Sequence, residues 1–140
     1  MEHLSEIDAP LVTIGMPVYN GAKSIKKALD SLLNQTFTNF ELIISDNAST
    51  DKTEEICKTY AAKDVRIKYI RQLENIGYVA NFKYLLMDVQ GDYFMWAAAD
   101  DIRSLDYLEL NYSFLERNLN YVASGSPNGF ENWPNDKKLV

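Results

Sequence analysis

Phe40-Glu41-Leu42-Ile43-Ile44-Ser45, followed at once by Asp46-Asn47-Ala48-Ser49-Thr50-Asp51, is a short apolar run that stops at a cluster of small polar side chains. A run of this length and apolarity reads as a strand buried on both faces. The polar cluster is turn chemistry, and Asp51 with Glu54 downstream marks a helix start. Ile56, Cys57, Tyr60 and Ala61 then recur at helical spacing. One strand, one turn and one helix are therefore legible in a single stretch.

The same unit repeats on either side. Leu11 to Val18 is a β-rich apolar run with Pro17 near its end, and Ile25, Ala28, Leu29, Leu32 and Leu33 form one helical stripe. Ile67 to Ile70 makes a third strand. After Asn75-Ile76-Gly77, the spacing predicts a helix with Val79, Phe82, Leu86 and Val89 facing inward. Gly91 breaks that helix, and Tyr93 to Ala97 forms the next strand. A fourth helix carries Leu105, Leu108, Tyr112 and Leu115; a further strand is expected near Tyr121 to Ser124, and a hairpin over Phe130 to Val140 turning around Asn135-Asp136. Met16, Met87 and Met95 read as core fillers. Parallel neighbours require crossovers, so this alternation predicts an α/β fold: an open, mostly parallel sheet with helices on both faces.

Composition narrows the class. At 140 residues, 46% hydrophobic and 24% charged, the chain suits one soluble domain over residues 11–140, preceded by a tail over 1–10. A net charge of −6 argues against a nucleic-acid or anionic-membrane partner, since either calls for a basic face. An acidic protein that binds a phosphorylated ligand needs a cation in between. Cys57 is the single cysteine, which rules out a disulfide framework. The N-terminus is polar and acidic, and no apolar stretch is long enough to span a bilayer. The expected location is the cytoplasm, with peripheral membrane association open to a full-length protein.

In an open parallel sheet the carboxyl ends of the strands share one edge, and ligands bind there. The residues just past the strands are Pro17-Val18-Tyr19-Asn20, Asp46-Asn47 and Asp100-Asp101. Tyr19 offers a flat face and a hydroxyl, Asp46 and Asn47 offer acceptors and an amide donor, and the aspartate pair offers oxygen ligands to a hard divalent cation. That set would serve a base, a ribose and a metal-bound diphosphate. The plain alternative for Asp100 or Asp101 is the cap of the following helix.

These motifs, together with Ser31 to Thr36, Asn75-Ile76-Gly77 and Gly91-Asp92-Tyr93, resemble in order and spacing the family 2 glycosyltransferases with the A-type, nucleotide-diphospho-sugar transferase fold, over roughly Leu11 to Leu119. The resemblance implies inverting transfer of a sugar from a nucleotide-diphosphate donor, with UDP or dTDP favoured, to an unknown glycan, lipid or other acceptor. A divalent metal, Mn2+ or Mg2+, would hold the diphosphate. It implies nucleotide contacts from Pro17, Tyr19, Asp46, Asn47 and Asp100, and metal ligation by Asp101 with Asp100. Asn47 stands where the family has a carboxylate, Ala98 where it commonly has a further Asp, and Phe82-Lys83 where it often has Arg-Asn. Lys83 reads as a solvated helix residue. The family's catalytic base belongs to an acceptor half beyond the metal motif, so the base here is unknown. The 140-residue chain is then expected to be inactive alone and to self-associate through the face meant for that half.

Other classes fit less well. A nucleotidyltransferase would need a glycine-rich phosphate loop after its first strand, where this chain offers Gly21. A phosphoacceptor signalling domain would want carboxylates where Pro17-Val18-Tyr19 stand. No Gly-x-Gly-x-x-Gly follows any strand, which excludes a dinucleotide dehydrogenase. A non-catalytic nucleotide-sugar binding module remains the alternative.

Overall fold

The computed structural model describes residues 9–125. Four parallel strands, β1 (Val12–Val18), β2 (Phe40–Asp46), β3 (Ile67–Arg71) and β4 (Tyr93–Trp96), make a sheet of order β3-β2-β1-β4. Helices α1 (Ile25–Leu33), α2 (Thr53–Ala61), α3 (Tyr78–Leu85) and α4 (Tyr107–Arg117) connect or follow them, and a 3-10 turn over Leu86–Asp88 extends α3.

The side-chain period of two sorts the strands into two faces. Val12, Ile14, Met16 and Val18 of β1 and Leu42 and Ile44 of β2 join one core with Ile25, Ala28, Leu29 and Leu32 of α1, Cys57 of α2 and Leu108 of α4. The alternate residues face α3: a side chain at Gly15 would collide with Phe94 and approach Leu85, and Ser45 bonds to Asn81. Helices on both faces leave the central strands buried, which is why their sequences are mainly apolar and their polar members Thr13, Ser45 and Asp46 are hydrogen-bonded. Buried Gln35 locks the end of α1 to the approach to α4. Its amide donates to the Ser31 and Ser104 carbonyls at 3.0 and 2.6 Å, and its oxygen accepts from the Leu108 N–H at 3.0 Å.

Four expectations need correction. The stripe Val79, Phe82, Leu86 does not face inward; Asn81 and Leu85 do. Asn81 is admitted to the interior because both ends of its amide are satisfied. The Ser45 hydroxyl donates to its oxygen at 2.6 Å and its nitrogen donates to the Ser45 carbonyl at 2.9 Å. Met87, next to that stripe, is likewise exposed rather than a core filler. Tyr121 to Ser124 forms no strand: no neighbouring strand pairs with it, and the segment folds back on α4, with Tyr121 against Phe114 and the Ser124 hydroxyl donating to the Asn111 carbonyl. Finally, α4 begins at Tyr107, so Leu105 stays exposed ahead of it. The expected hairpin at 130–140 and most of the tail over 1–10 lie outside the described residues.

Candidate functional site

The register sets Val18, Asp46 and Arg71 level across β1, β2 and β3, so three strands end together. Beyond that edge, β1 runs into a tight loop. A Cβ on Gly21 would lie 2.7 Å from a Val18 methyl, so any other residue there would force the strand end to shift. Asn20 has φ +51° and Ala48 φ +60°, two left-handed residues in facing loops.

A cavity of about 300 Å3 opens at this edge, lined by Pro17, Tyr19, Asn20, Gly21, Phe82, Ala98, Ala99 and Asp100 among others. It brings together the Pro17-Tyr19 strand end and Asp100, which stand far apart in sequence. Tyr19 is half exposed, with its ring free to meet a ligand. Asp100 is exposed, and its carboxylate has no partner among the described residues.

Asp101 sits beside this cavity on a turn closed by its own N–H to the Ala98 carbonyl at 3.3 Å. One carboxylate oxygen accepts from Arg103 at 3.1 Å. Since α4 starts only at Tyr107, neither Asp100 nor Asp101 caps a helix. Arg103 was not singled out from sequence. Its side chain is mostly buried, lies over the Tyr107 ring with 5.2 Å to the centroid, and keeps an Nε with no partner. A base two positions after an aspartate pair was the available signal.

Asp46 and Asn47 lie beneath the edge rather than on the cavity wall. Asp46 has no exposure, and its oxygens accept from the Ser49 N–H at 2.8 Å, the Tyr69 hydroxyl at 2.6 Å and Arg71 at 3.1 Å. Burial, then the bond to Asp46, pushes the Tyr69 phenol well above its ordinary pKa. The Asn47 amide donates to Asn75 at 2.9 Å, and its oxygen accepts from the Ile76 N–H at 2.9 Å. These two residues tie the β2 end to β3 and to the loop before α3.

The loops after β1 and β2 interlock. Three successive N–H groups, of Asn20, Gly21 and Ala22, donate to Ser49, Thr53 and Asp51 at 2.9, 2.9 and 3.0 Å. In return the Asn20 side-chain oxygen accepts from the N–H groups of Thr50 and Asp51 at 2.7 and 3.3 Å. Asp51 also accepts from the Thr53 N–H and hydroxyl, so it anchors rather than caps in isolation. Burial pushes its carboxyl upward, but these hydrogen bonds outweigh it and hold the group below its ordinary range.

Whether the residues suit a divalent cation is decided by their chemistry. Among the described residues no cluster of three or more His, Cys, Asp or Glu exists. Two adjacent carboxylates at an open edge are nevertheless what a hard cation uses when water and a diphosphate complete its shell. Asp100 and Asp101 fit that role. Lys83 is exposed, as expected for a solvated position. No helix among the described residues is long and apolar enough to cross a membrane.

Comparisons with known proteins give the family and the fold. The profile of Glycosyl transferase family 2 matches residues 13–139. The chain is 36% identical over 118 residues to the putative glycosyltransferase EpsE of Bacillus subtilis, covering 84% of this chain and 42% of that protein. It is 39% identical over 101 residues to glycosyltransferase GlyA of Streptococcus pneumoniae, covering 72% and 14%. Among solved structures, residues 1–349 of Staphylococcus aureus TarS in complex with UDP-GlcNAc superpose with a TM-score of 0.72 at 26% identity, over 77% of this chain and 32% of that one. The mannosyltransferase PcManGT from Pyrobaculum calidifontis, in complex with GDP-Man and Mn2+, gives a TM-score of 0.62 at 26% identity, over 67% and 28%. The chain thus spans less than half the length of each of these proteins.

Proposed function

The chain belongs to glycosyl transferase family 2, and from that premise we propose that it forms the donor and metal site of an inverting glycosyltransferase, which moves a sugar from a nucleotide-diphosphate sugar to an acceptor. The observation that carries this reading is the convergence of Tyr19 and Asp100 on one cavity at the carboxyl edge of the sheet.

In this reading Pro17 and Tyr19 flank the nucleobase, the Tyr19 ring supplying a stacking face. Asp100 meets the ribose and, with Asp101, is placed to hold Mn2+ or Mg2+. When bound, the cation acts as a Lewis acid that stabilises the leaving diphosphate. Asp46 and Asn47 contribute from beneath by holding the strand ends in place. UDP- and dTDP-sugars are the favoured donors in this reading, which the complex of TarS with UDP-GlcNAc supports. The GDP-Man complex of PcManGT shows that the fold itself does not dictate the base. The acceptor is a hydroxyl-bearing glycan or lipid in this proposal, reached in the whole protein.

The test is calorimetry of UDP, dTDP, ADP and GDP with and without Mn2+. Metal-dependent binding of the pyrimidine nucleotides, weakened by Tyr19→Ala, is the expected result. Equal or tighter binding of ADP or GDP would overturn the base assignment, and no binding of any nucleotide would overturn the donor site.

One observation favours the second reading, a non-catalytic nucleotide-sugar binding module. Among the described residues Asp100 is the single carboxylate on the cavity wall. Beyond the aspartate pair, Glu109 accepts from the Thr36 hydroxyl, Glu116 from Tyr93, and Asp106 precedes α4; none of them lines the cavity. A general base must reach the acceptor hydroxyl within hydrogen-bond distance. Turnover of a panel of nucleotide sugars by the 140-residue chain would mean that such a base is present within it.

A further inference from the structure

We propose that Asn20 is a positioning residue of the donor site, which acts through Tyr19 by locking the loop after β1 to the loop after β2; this rests on the reading of the strand-end cavity as the donor site.

The backbone around Tyr19 is clamped on both sides. The Val18 carbonyl accepts from the Asn47 N–H at 2.8 Å, and the Asn20 N–H donates to the Ser49 hydroxyl at 2.9 Å. Between those two fixed points the Tyr19 side chain projects to the cavity and makes no hydrogen bond of its own among the described residues. The point from which its ring departs is therefore set by backbone, and that backbone is held by its neighbour. Asn20 holds a left-handed conformation at φ +51°, which costs most residues free energy but is tolerated by Asn. What compensates is the carbonyl oxygen of its side chain. That oxygen accepts from the Thr50 N–H at 2.7 Å, the Thr50 hydroxyl at 3.3 Å and the Asp51 N–H at 3.3 Å. One side chain thus satisfies two backbone donors of the opposite loop, while three N–H groups of its own loop are satisfied in return.

These bonds are solvent-exposed, so they contribute little to global stability; water can replace each of them. What water cannot replace is their geometry. A flat ring that stacks on a base must be held within a fraction of an ångström and a few tens of degrees to retain its contact, and pre-organisation spares binding the cost of ordering the loop. The interlock is consequently a device for affinity more than for folding.

The test is a mutational series on the 140-residue chain with UDP and Mn2+ as the probe. Asn20→Gly permits the left-handed backbone and deletes the acceptor with the rest of the side chain. We expect UDP affinity to fall about tenfold, with Tm nearly unchanged and faster amide exchange at Thr50 and Asp51, whose N–H groups lose their acceptor. Asn20→Asp keeps both the acceptor and the left-handed backbone, and should restore affinity to within about threefold of the parent. In a Tyr19→Ala background, Asn20→Gly should cost almost nothing further, because two residues acting through one contact are non-additive. Mn2+ with inorganic pyrophosphate should bind all variants alike. Unchanged UDP affinity in Asn20→Gly, or additive losses with Tyr19→Ala, would overturn the inference while leaving the donor site standing. If the parent binds no nucleotide, the donor reading fails and Asn20 with it, whereas the amide-exchange result still reports on the interlock alone.

Discussion

The Tyr69 hydroxyl donates a 2.6 Å hydrogen bond to a carboxylate oxygen of Asp46 that has no solvent exposure, and Arg71 donates to the same oxygen at 3.1 Å. A charge this deep is tolerated only when its acceptor sites are filled. The bond spans β2 and β3 and holds the sheet edge from which the cavity opens. Tyr69→Phe removes one donor and leaves the ring, and should destabilise the fold by about 1–2 kcal/mol. A urea titration checks this: the midpoint falls with an unchanged slope, and no shift would mean that Arg71 and Ser49 suffice.

The aspartate pair gives a separable prediction. Asp101 is half exposed on a turn and its side chain pairs with Arg103, from which an amide oxygen can still accept, so Asp101→Asn should leave the urea midpoint near that of the parent. Its effect belongs to the ligand. UDP affinity in Mn2+ should fall by at least the roughly ten- to hundredfold that disturbing a metal's outer partners costs, while affinity measured in chelator should not change. Equal affinity of parent and variant in Mn2+ would reduce Asp101 to a partner of Arg103.

Acid stability follows from Asp51. Its carboxyl is held below the ordinary value of 3.8 in the fold, the burial that raises it being outweighed by hydrogen bonds from Thr53 and Ala22. A depressed carboxyl contributes stability above the unfolded value, and that contribution is lost as pH falls from about 3.8 through the lower folded value, because the unfolded chain takes up the proton first. Asp51→Asn should therefore lower Tm at pH 7 and flatten its decline below pH 4. Parallel Tm curves for the two proteins down the acid limb would contradict this.

Cys57 is fully buried in α2, and burial, followed by the nearby Asp46 and Asp51 charges, pushes its thiol up to about 12. Only the thiolate is a good nucleophile. Iodoacetamide at pH 8 should leave the folded protein unmodified and alkylate it completely in denaturant, as mass spectrometry would report. Rapid alkylation of the folded chain would reveal opening of α2 away from the sheet.

The strands and α1 were legible because their burial leaves a periodic trace. Val12 to Val18 and Phe40 to Asp46 are covered on both faces, so each carries a mainly apolar run, Leu42 to Ile44 in the second, and Ile25, Ala28, Leu29 and Leu32 mark one side of a helix. The motifs Pro17 to Gly21, Asp46 to Asp51 and Asp100-Asp101 were legible as chemistry too short to need an alignment. The third helix was not, for an apolar count assigns Val79 and Phe82 to the core and overlooks Asn81, whose two bonds to Ser45 exist only once β2 lies beside it.

Sequence by itself therefore determined the α/β alternation, the parallel sheet and the set of polar residues just past its strands, because local period and turn chemistry act within a few residues. Tertiary structure alone decided which of those residues share a cavity. Tyr19 and Asp100 meet there, whereas Asp46 turns into the core, since its parity on β2 places it on the face covered by α2. It also decided that Ser49, Asp51 and Thr53 hold the loop carrying Tyr19, from 29 to 32 positions away in the chain. Hydrogen bonds of a few ångströms depend on distances that the folded sheet sets and that no local pattern encodes.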